Sequence, residues 1–104
     1  MHDTDTIATI LADEGITVSP ATETMNGVDG KKVHPGGLFA NDGRGRLIGS
    51  MSADGHWAVG QRRGDELFVA AGFAAGDAGQ QRRVFELILI ASVVWLLAEE
   101  TTHA

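Results

Sequence analysis

Apolar residues recur along this chain with two different periods, and the changes of period mark out its elements. In residues 4–14, Ile7, Ile10 and Leu11 follow the i, i+3, i+4 spacing of one buried stripe, which predicts a short helix. Gly15 suits the left-handed position just past its end, with Ile16 placed to touch Leu11. Asp13 and Glu14 oppose the helix dipole there, so tertiary contacts have to hold the helix. Ile16-Thr17-Val18 reads as a possible fifth short strand, ended by Ser19-Pro20. Residues 20–37 then lose all period. They hold both prolines, both lysines and four glycines, and predict a long irregular segment, of a kind often functional or mobile.

From 37 to 73 the period is two. Three turn signals end in glycine: Asn41-Asp42-Gly43, Ala53-Asp54-Gly55 and Arg62-Arg63-Gly64. Each fits a three-residue hairpin loop with glycine in the left-handed position. In that register Phe39 faces Gly45, Met51 faces Trp57 and Val59 faces Leu67. The odd-numbered Phe39, Leu47, Met51, Trp57, Val59, Leu67, Val69, Ala71 and Phe73 then share one face. A two-residue loop at 54–55 would scatter them, since a one-residue slip turns every side chain over. The prediction is a four-stranded antiparallel meander with one strongly apolar face. Leu38, Ile48, Ala58 and Phe68 fall on the other face and call for partial cover by the first helix or a partner.

The helical period returns at about 78 and runs to 100. Asp77 is a good N-cap, and Gln80 stands where a capping box needs it. Val84, Leu87, Ile88, Ala91, Val94, Trp95 and Ala98 form a wide stripe suited to cover the sheet. Leu89, Val93, Leu96 and Leu97 form a second patch on the opposite side. From Leu87 to Ala98 only Ser92 is polar. Twelve residues span about 18 Å, too short for the ~30 Å hydrocarbon core of a membrane. A helix apolar all round is buried on both sides, and monomers seldom leave such a patch exposed. Leu89, Val93, Leu96 and Leu97 are therefore expected to form the interface of a homodimer.

The 104 residues suit one α+β domain spanning 1–104, and a 43% apolar content argues against disorder. There is no cysteine, which excludes disulfides, Cys-ligated zinc and a thiol nucleophile. Residues 1–20 lack a basic start and an apolar stretch, so a cytoplasmic protein is the default expectation. The net charge of -6 argues against a general nucleic-acid binder. That charge is unevenly spread. Residues 1–30 hold six acids and no Lys or Arg, whereas 31–83 hold all eight cations against five acids.

Candidate chemistry is sparse. Gly43-Arg44-Gly45-Arg46-Leu47-Ile48-Gly49 has its third glycine one position late for a dinucleotide loop, and no helix follows. His2, His34, His56 and His103 show no metal-ligand spacing. Ser50 and Ser52 lack the nucleophile-elbow context and read as polar residues on the solvent face of a strand. No catalytic residue, metal site or cofactor is predicted, and the chain leans away from being an enzyme. Arg46 is expected across from Arg62, with Arg44 nearby, and like charges in that position are solvated or bind an anionic ligand or acidic partner. Lys31, Lys32 and His34 mark the irregular segment as a candidate recognition loop.

The expected protein is thus a non-catalytic protein-interaction module, a homodimeric small accessory or inhibitory protein that binds a protein partner. The alternatives are a small-molecule or anion binder with its site between sheet and helix, and a membrane-associated protein using the C-terminal helix. Glu99 and Glu100 weaken the last, because they stand where cations would favour anionic lipid.

Overall fold

The computed structural model describes residues 3–63 and 66–103, with side chains described for 6–60 and 69–92. The chain opens with helix α1 (Asp3–Asp13), followed by β1 (Thr17–Pro20) and two short strands, β2 (Met25–Asn26) and β3 (Lys32–Val33). Then come β4 (Leu38–Asn41), β5 (Leu47–Met51), β6 (His56–Arg63), β7 (Glu66–Phe73) and helix α2 (Ala78–His103). The four-stranded meander is β4 to β7, and β1 joins it beside β4 as a fifth antiparallel strand. β2 and β3 pair separately, so a small hairpin lies inside the segment that carried no period.

Both helix ends are built as the sequence predicts. The Ile16 N–H donates to Leu11 O (2.9 Å) and the Gly15 N–H to Ala12 O (3.0 Å), with Gly15 at φ 73°. This is a Schellman ending. At the other helix, the Gln80 N–H donates to the Asp77 carboxylate and the Asp77 N–H to Gln80 Oε1, both at 2.9 Å. Two orphan donors of α2 are thereby satisfied reciprocally.

The register departs from expectation at two of the three hairpins. Between β5 and β6 it holds: Met51 faces Trp57, and Gly55 ends a three-residue loop at φ 99°. Between β4 and β5 the same loop type forms two residues later than predicted. Gly45, not Gly43, is left-handed (φ 77°), and the Asp42 N–H donates to Arg46 O. Asp42 fixes that choice, because its carboxylate accepts the N–H groups of both Arg44 and Arg46 at 2.9 Å. The ladder then shifts between Ala40 and Asn41, so Phe39 faces Ser50 and Leu38 faces Met51. β6 and β7 are separated by only two residues, with Arg63 facing Glu66 and Val59 facing Ala70 rather than Leu67. The left-handed turn expected at Gly64 lies outside the described residues.

Each change of parity moves half of the predicted apolar face to the other side of the sheet. Val18, Leu38, Met51, Trp57 and Val59 pack toward the helices. Phe39, Leu47, Val69, Ala71 and Phe73 share the outer side, where Phe39 and Leu47 pack with Ala21 and Val33. The observed register sets large groups against small ones. Trp57 faces Gly72, and a Cβ there would stand 2.4 Å from Trp57 Cζ2. The predicted register would put Val69 in that place. The sheet also has a cover on both sides, helices on one and residues 21–37 on the other, so its apolar residues need not share a face.

Helix α2 is rotated from the predicted phase. Phe85, which fell in neither predicted patch, is buried at 0% exposure, and Leu89 at 1%. Leu89 is therefore a core residue seated on Gly49 and not part of an outward dimer face. Val84 and Leu87, expected to cover the sheet, are 36% and 47% exposed. The side chains of Val93, Leu96 and Leu97 lie outside the described residues. α1 sits with α2 in one cluster, where Ile7 and Leu11 join Phe85 and Leu89, and it does not cover the outer face.

The phase of α2 is directly testable by urea denaturation. Leu89→Ala should cost about 2–5 kcal/mol, as for a buried leucine. Leu87→Ala should cost under about 1 kcal/mol, and the reverse ranking would restore the predicted phase. Gly55→Val should cost about 2 kcal/mol or more, because it combines φ 99° with a Cβ 2.3 Å from Ala74 O.

Candidate functional site

The outer side of the sheet carries one row of small residues. Across the strands, Phe39 faces Ser50, Ser50 faces Ala58, and Ala58 faces Ala71. Three short side chains in succession leave a trough between bulkier rows. The 21–37 segment fills its β4–β5 end. Val28 donates its N–H to Ser50 Oγ (3.1 Å), and Gly27 lies so close that a Cβ would meet that oxygen at 2.4 Å. Ser50 is thus buried as the anchor of this segment and does not face solvent as the sequence suggested. Gly37 allows a second close approach, to Val33 and to Met51 O.

The β6–β7 end of the trough stays open. It forms a groove of about 720 Å3 that includes Ala58 and Ala71 beside Phe73. Lys31, Lys32 and His34 line it from the 21–37 segment, and Asp54 and His56 from the β5–β6 hairpin. The His56 ring leans on Phe73 with centroids 5.0 Å apart. His34 Nδ1 is 2.9 Å from Thr24 Oγ1. Asp29 accepts the Lys31 N–H at 3.1 Å, and among the described residues neither lysine ammonium is paired with a carboxylate.

Of the six predicted binding residues, the structure brings together Lys31, Lys32 and His34. Arg44 and Arg46 stand at the opposite end of the strands, in the β4–β5 loop. Arg46 Nε is held by Asp42 at 2.8 Å. The β5–β6 ladder runs from Gly49↔Val59 to Met51↔Trp57, so Arg46 has left the sheet and is not a rung opposite Arg62. The Arg62 side chain lies outside the described residues. Sequence reasoning missed His56, Asp54, Ala71 and Phe73 as groove residues. The signal was the even-numbered His56 and Ala58 on one strand, but the shifted β6–β7 register hid their odd-numbered neighbours on β7.

Ser52, Asp54 and His56 form a hydrogen-bonded trio that does not amount to a catalytic triad. The Ser52 hydroxyl donates to Asp54, and His56 Nδ1 is 3.1 Å from the same carboxylate oxygen. In a triad the imidazole stands between hydroxyl and carboxylate and takes the proton. Here the carboxylate stands between the other two, so nothing activates the serine. The Ser52 hydroxyl, and after it His56, hold the Asp54 carboxyl down at about 2, too acidic for a general base near neutrality. The trio closes the hairpin loop, where Ser52 Oγ also accepts the His56 N–H at 3.2 Å. At the other loop the Arg46 backbone N–H, foremost among several groups, holds the Asp42 carboxyl below its ordinary value.

Among the described residues no group of three metal-ligating side chains converges, and no helix is long and apolar enough to cross a membrane. Between sheet and helix, where a ligand site was the alternative expectation, Phe85 and Leu89 fill the space over Gly49. Comparison with protein-family models, curated proteins and solved structures found no match. The fold and groove define an α+β domain whose chemistry has to be read from its own residues.

Both hairpin carboxyls are more acidic folded than free. The stability they lend is complete above their unfolded value near 3.8 and fades as the pH falls; for Asp54 the window closes near 2. Wild type should therefore lose stability between about pH 5 and pH 2.5, and Asp54→Asn should lose less over that interval. Urea midpoints at the two pH values check this, and equal losses would remove Asp54 as a contributor.

Proposed function

We propose that this chain is a non-catalytic protein-interaction module of the cytoplasm, and that its groove takes an extended acidic segment of a protein partner. The observation that supports the reading is the pairing of an apolar trough with two uncommitted lysines on its wall. The exposed Ala71 and Phe73 offer contact area to apolar side chains of an extended chain. Lys31 and Lys32 attract acidic residues between them. Asp29 and Asp54 also line the groove as carboxylates, so the attraction is local to the Lys31–Lys32 wall. A half-open groove encloses a small molecule less than most ligand sites do.

The test uses a peptide of alternating glutamate and valine, with a lysine–valine peptide as control, and amide and side-chain shifts of the full chain. The glutamate peptide should shift His34, His56, Ala58 and Ala71, and the lysine peptide should not. Lys31→Ser with Lys32→Ser should weaken binding roughly three- to tenfold and flatten its salt dependence, as expected for rim charges. Phe73→Ser should weaken it without altering that salt dependence. Binding that leaves the groove resonances unmoved would sink this reading.

A further inference from the structure

The two edges of the sheet are built differently. β1 is four residues long and ends in Pro20, which has no N–H to offer a neighbour. A short edge ended by proline is a protected edge. β7 is the other edge, and it is eight residues long, roughly 26 Å. From Leu67 to Phe73 its sequence holds no charge and no proline. Val69 is 44% exposed and Phe73 59%, and Ala70 and Ala71, which face opposite sides of the sheet, are both exposed. Among the described residues, the Val69–Phe73 stretch of β7 is therefore exposed over both faces, in a chain that protects its other edge.

Its backbone is arranged to pair. The Ala74 N–H donates to Gly55 O at 2.8 Å, continuing the β6–β7 ladder. Alternation along an antiparallel pair then gives the even residues of β7 to β6. The N–H and C=O groups of Val69, Ala71 and Phe73 point out of the open edge. Above this edge runs an apolar flank of α2. With Phe85 and Leu89 against the sheet, steps of 100° carry Val84 and Ile88 to one flank, Glu86 and Ile90 to the other, and Leu87 to the back of the helix, away from the sheet. Seen from the helix layer with β6 rising, the strand hydrogen bonds place β7 on the right. A right-handed helix rising over β6 carries the Val84–Ile88 flank to the right as well. Val84 is exposed there, and Leu87 is exposed on the back of the helix.

We propose that the β7 edge pairs with the same edge of a second copy, antiparallel about a two-fold axis normal to the sheet. The two five-stranded sheets become one of ten strands, and the Val84–Ile88 flanks of the two α2 helices face each other above it. Self-pairing favours a second copy over a foreign strand, because the edge from Leu67 to Phe73 and the Val84–Ile88 flank carry no charge for an unlike partner to match. An isologous contact of this kind also closes on itself and leaves only the two protected β1 edges at the ends. The partner copy completes the groove: Ala71 and Phe73 form its β7 side, so pairing extends its floor onto the partner's β7 and joins two grooves across the axis.

Sedimentation of the full chain should give a mass about twice 10.9 kDa. Ala71→Pro removes an N–H that β6 does not use, so it should give a folded monomer; Ala70→Pro, which breaks the β6 ladder, should unfold the edge. Val69→Lys, a charge on the bare edge, should also give a folded monomer, and it serves where the proline variant loses its far-UV circular dichroism. Amide exchange at Val69, Ala71 and Phe73 should be slow in wild type and fast in Val69→Lys. A wild-type monomer at micromolar concentration, or a dimer that persists in the folded Val69→Lys protein, overturns the proposal. Peptide-induced shifts in a monomeric variant would leave the groove reading standing on its own.

Discussion

The missing side chain at Gly49 sets the position of almost everything else. A Cβ there would stand 2.9 Å from Leu89 and 3.2 Å from Phe85, so only glycine lets helix and sheet approach this closely. Seating Phe85 and Leu89 in that hollow fixes the rotation of α2. Fixing the rotation decides which apolar residues are left outside, and those are Val84 and Leu87. α1 then has a defined place, with Ile7 and Leu11 closing the same cluster. One small residue in the middle of a strand thus governs both the core and the surface opposite β7.

The same device recurs on the outer side. Gly27 over Ser50 and Gly37 against Val33 bring the 21–37 segment onto the sheet, and one buried hydroxyl anchors it. Burying a hydroxyl without a partner costs a few kcal/mol, so the Val28 N–H is a condition of the arrangement. The segment stops short of β6 and β7. The groove is what remains of the trough beyond it, and its basic wall is the edge of the cover itself.

Local features of this fold were legible in the sequence, because each depends on residues a few positions apart. The capping box of Asp77 and Gln80, the Schellman turn at Gly15 and the left-handed Gly55 all answer to short-range rules. The number and order of the main strands followed from the turn spacing. What failed were choices of phase. The Gly43–Gly45 stretch offers two glycines able to take the left-handed position, and the Asp42 carboxylate, which selects the second, acts through a hydrogen-bond geometry that spacing does not encode. From Leu87 to Ala98 the helix is apolar on nearly every side, so period alone could not say whether Leu87 or Leu89 faces the sheet. The candidate site suffered most, since Lys31 and Lys32 could be picked out as a basic pair, while Ala71 and Phe73 reach the groove only through the shifted β6–β7 register.

That register also bears on why β7 has the composition it has. An uncharged edge strand is an aggregation hazard, and natural chains place charges beside stretches they cannot avoid. Here Arg62, Arg63, Asp65 and Glu66 crowd the hairpin end of β7, and nothing charged follows until Asp77. The chain thus has charges to spare for this edge and keeps them at its margin. A solvent-facing strand would tolerate lysine at 69 or 71 at little cost, because neither side chain is buried in the sheet as it stands. Among the described residues, the side chains at those positions are exposed. They fit the edge pairing proposed above, in which the groove floor that ends at Ala71 and Phe73 would continue across the two-fold axis.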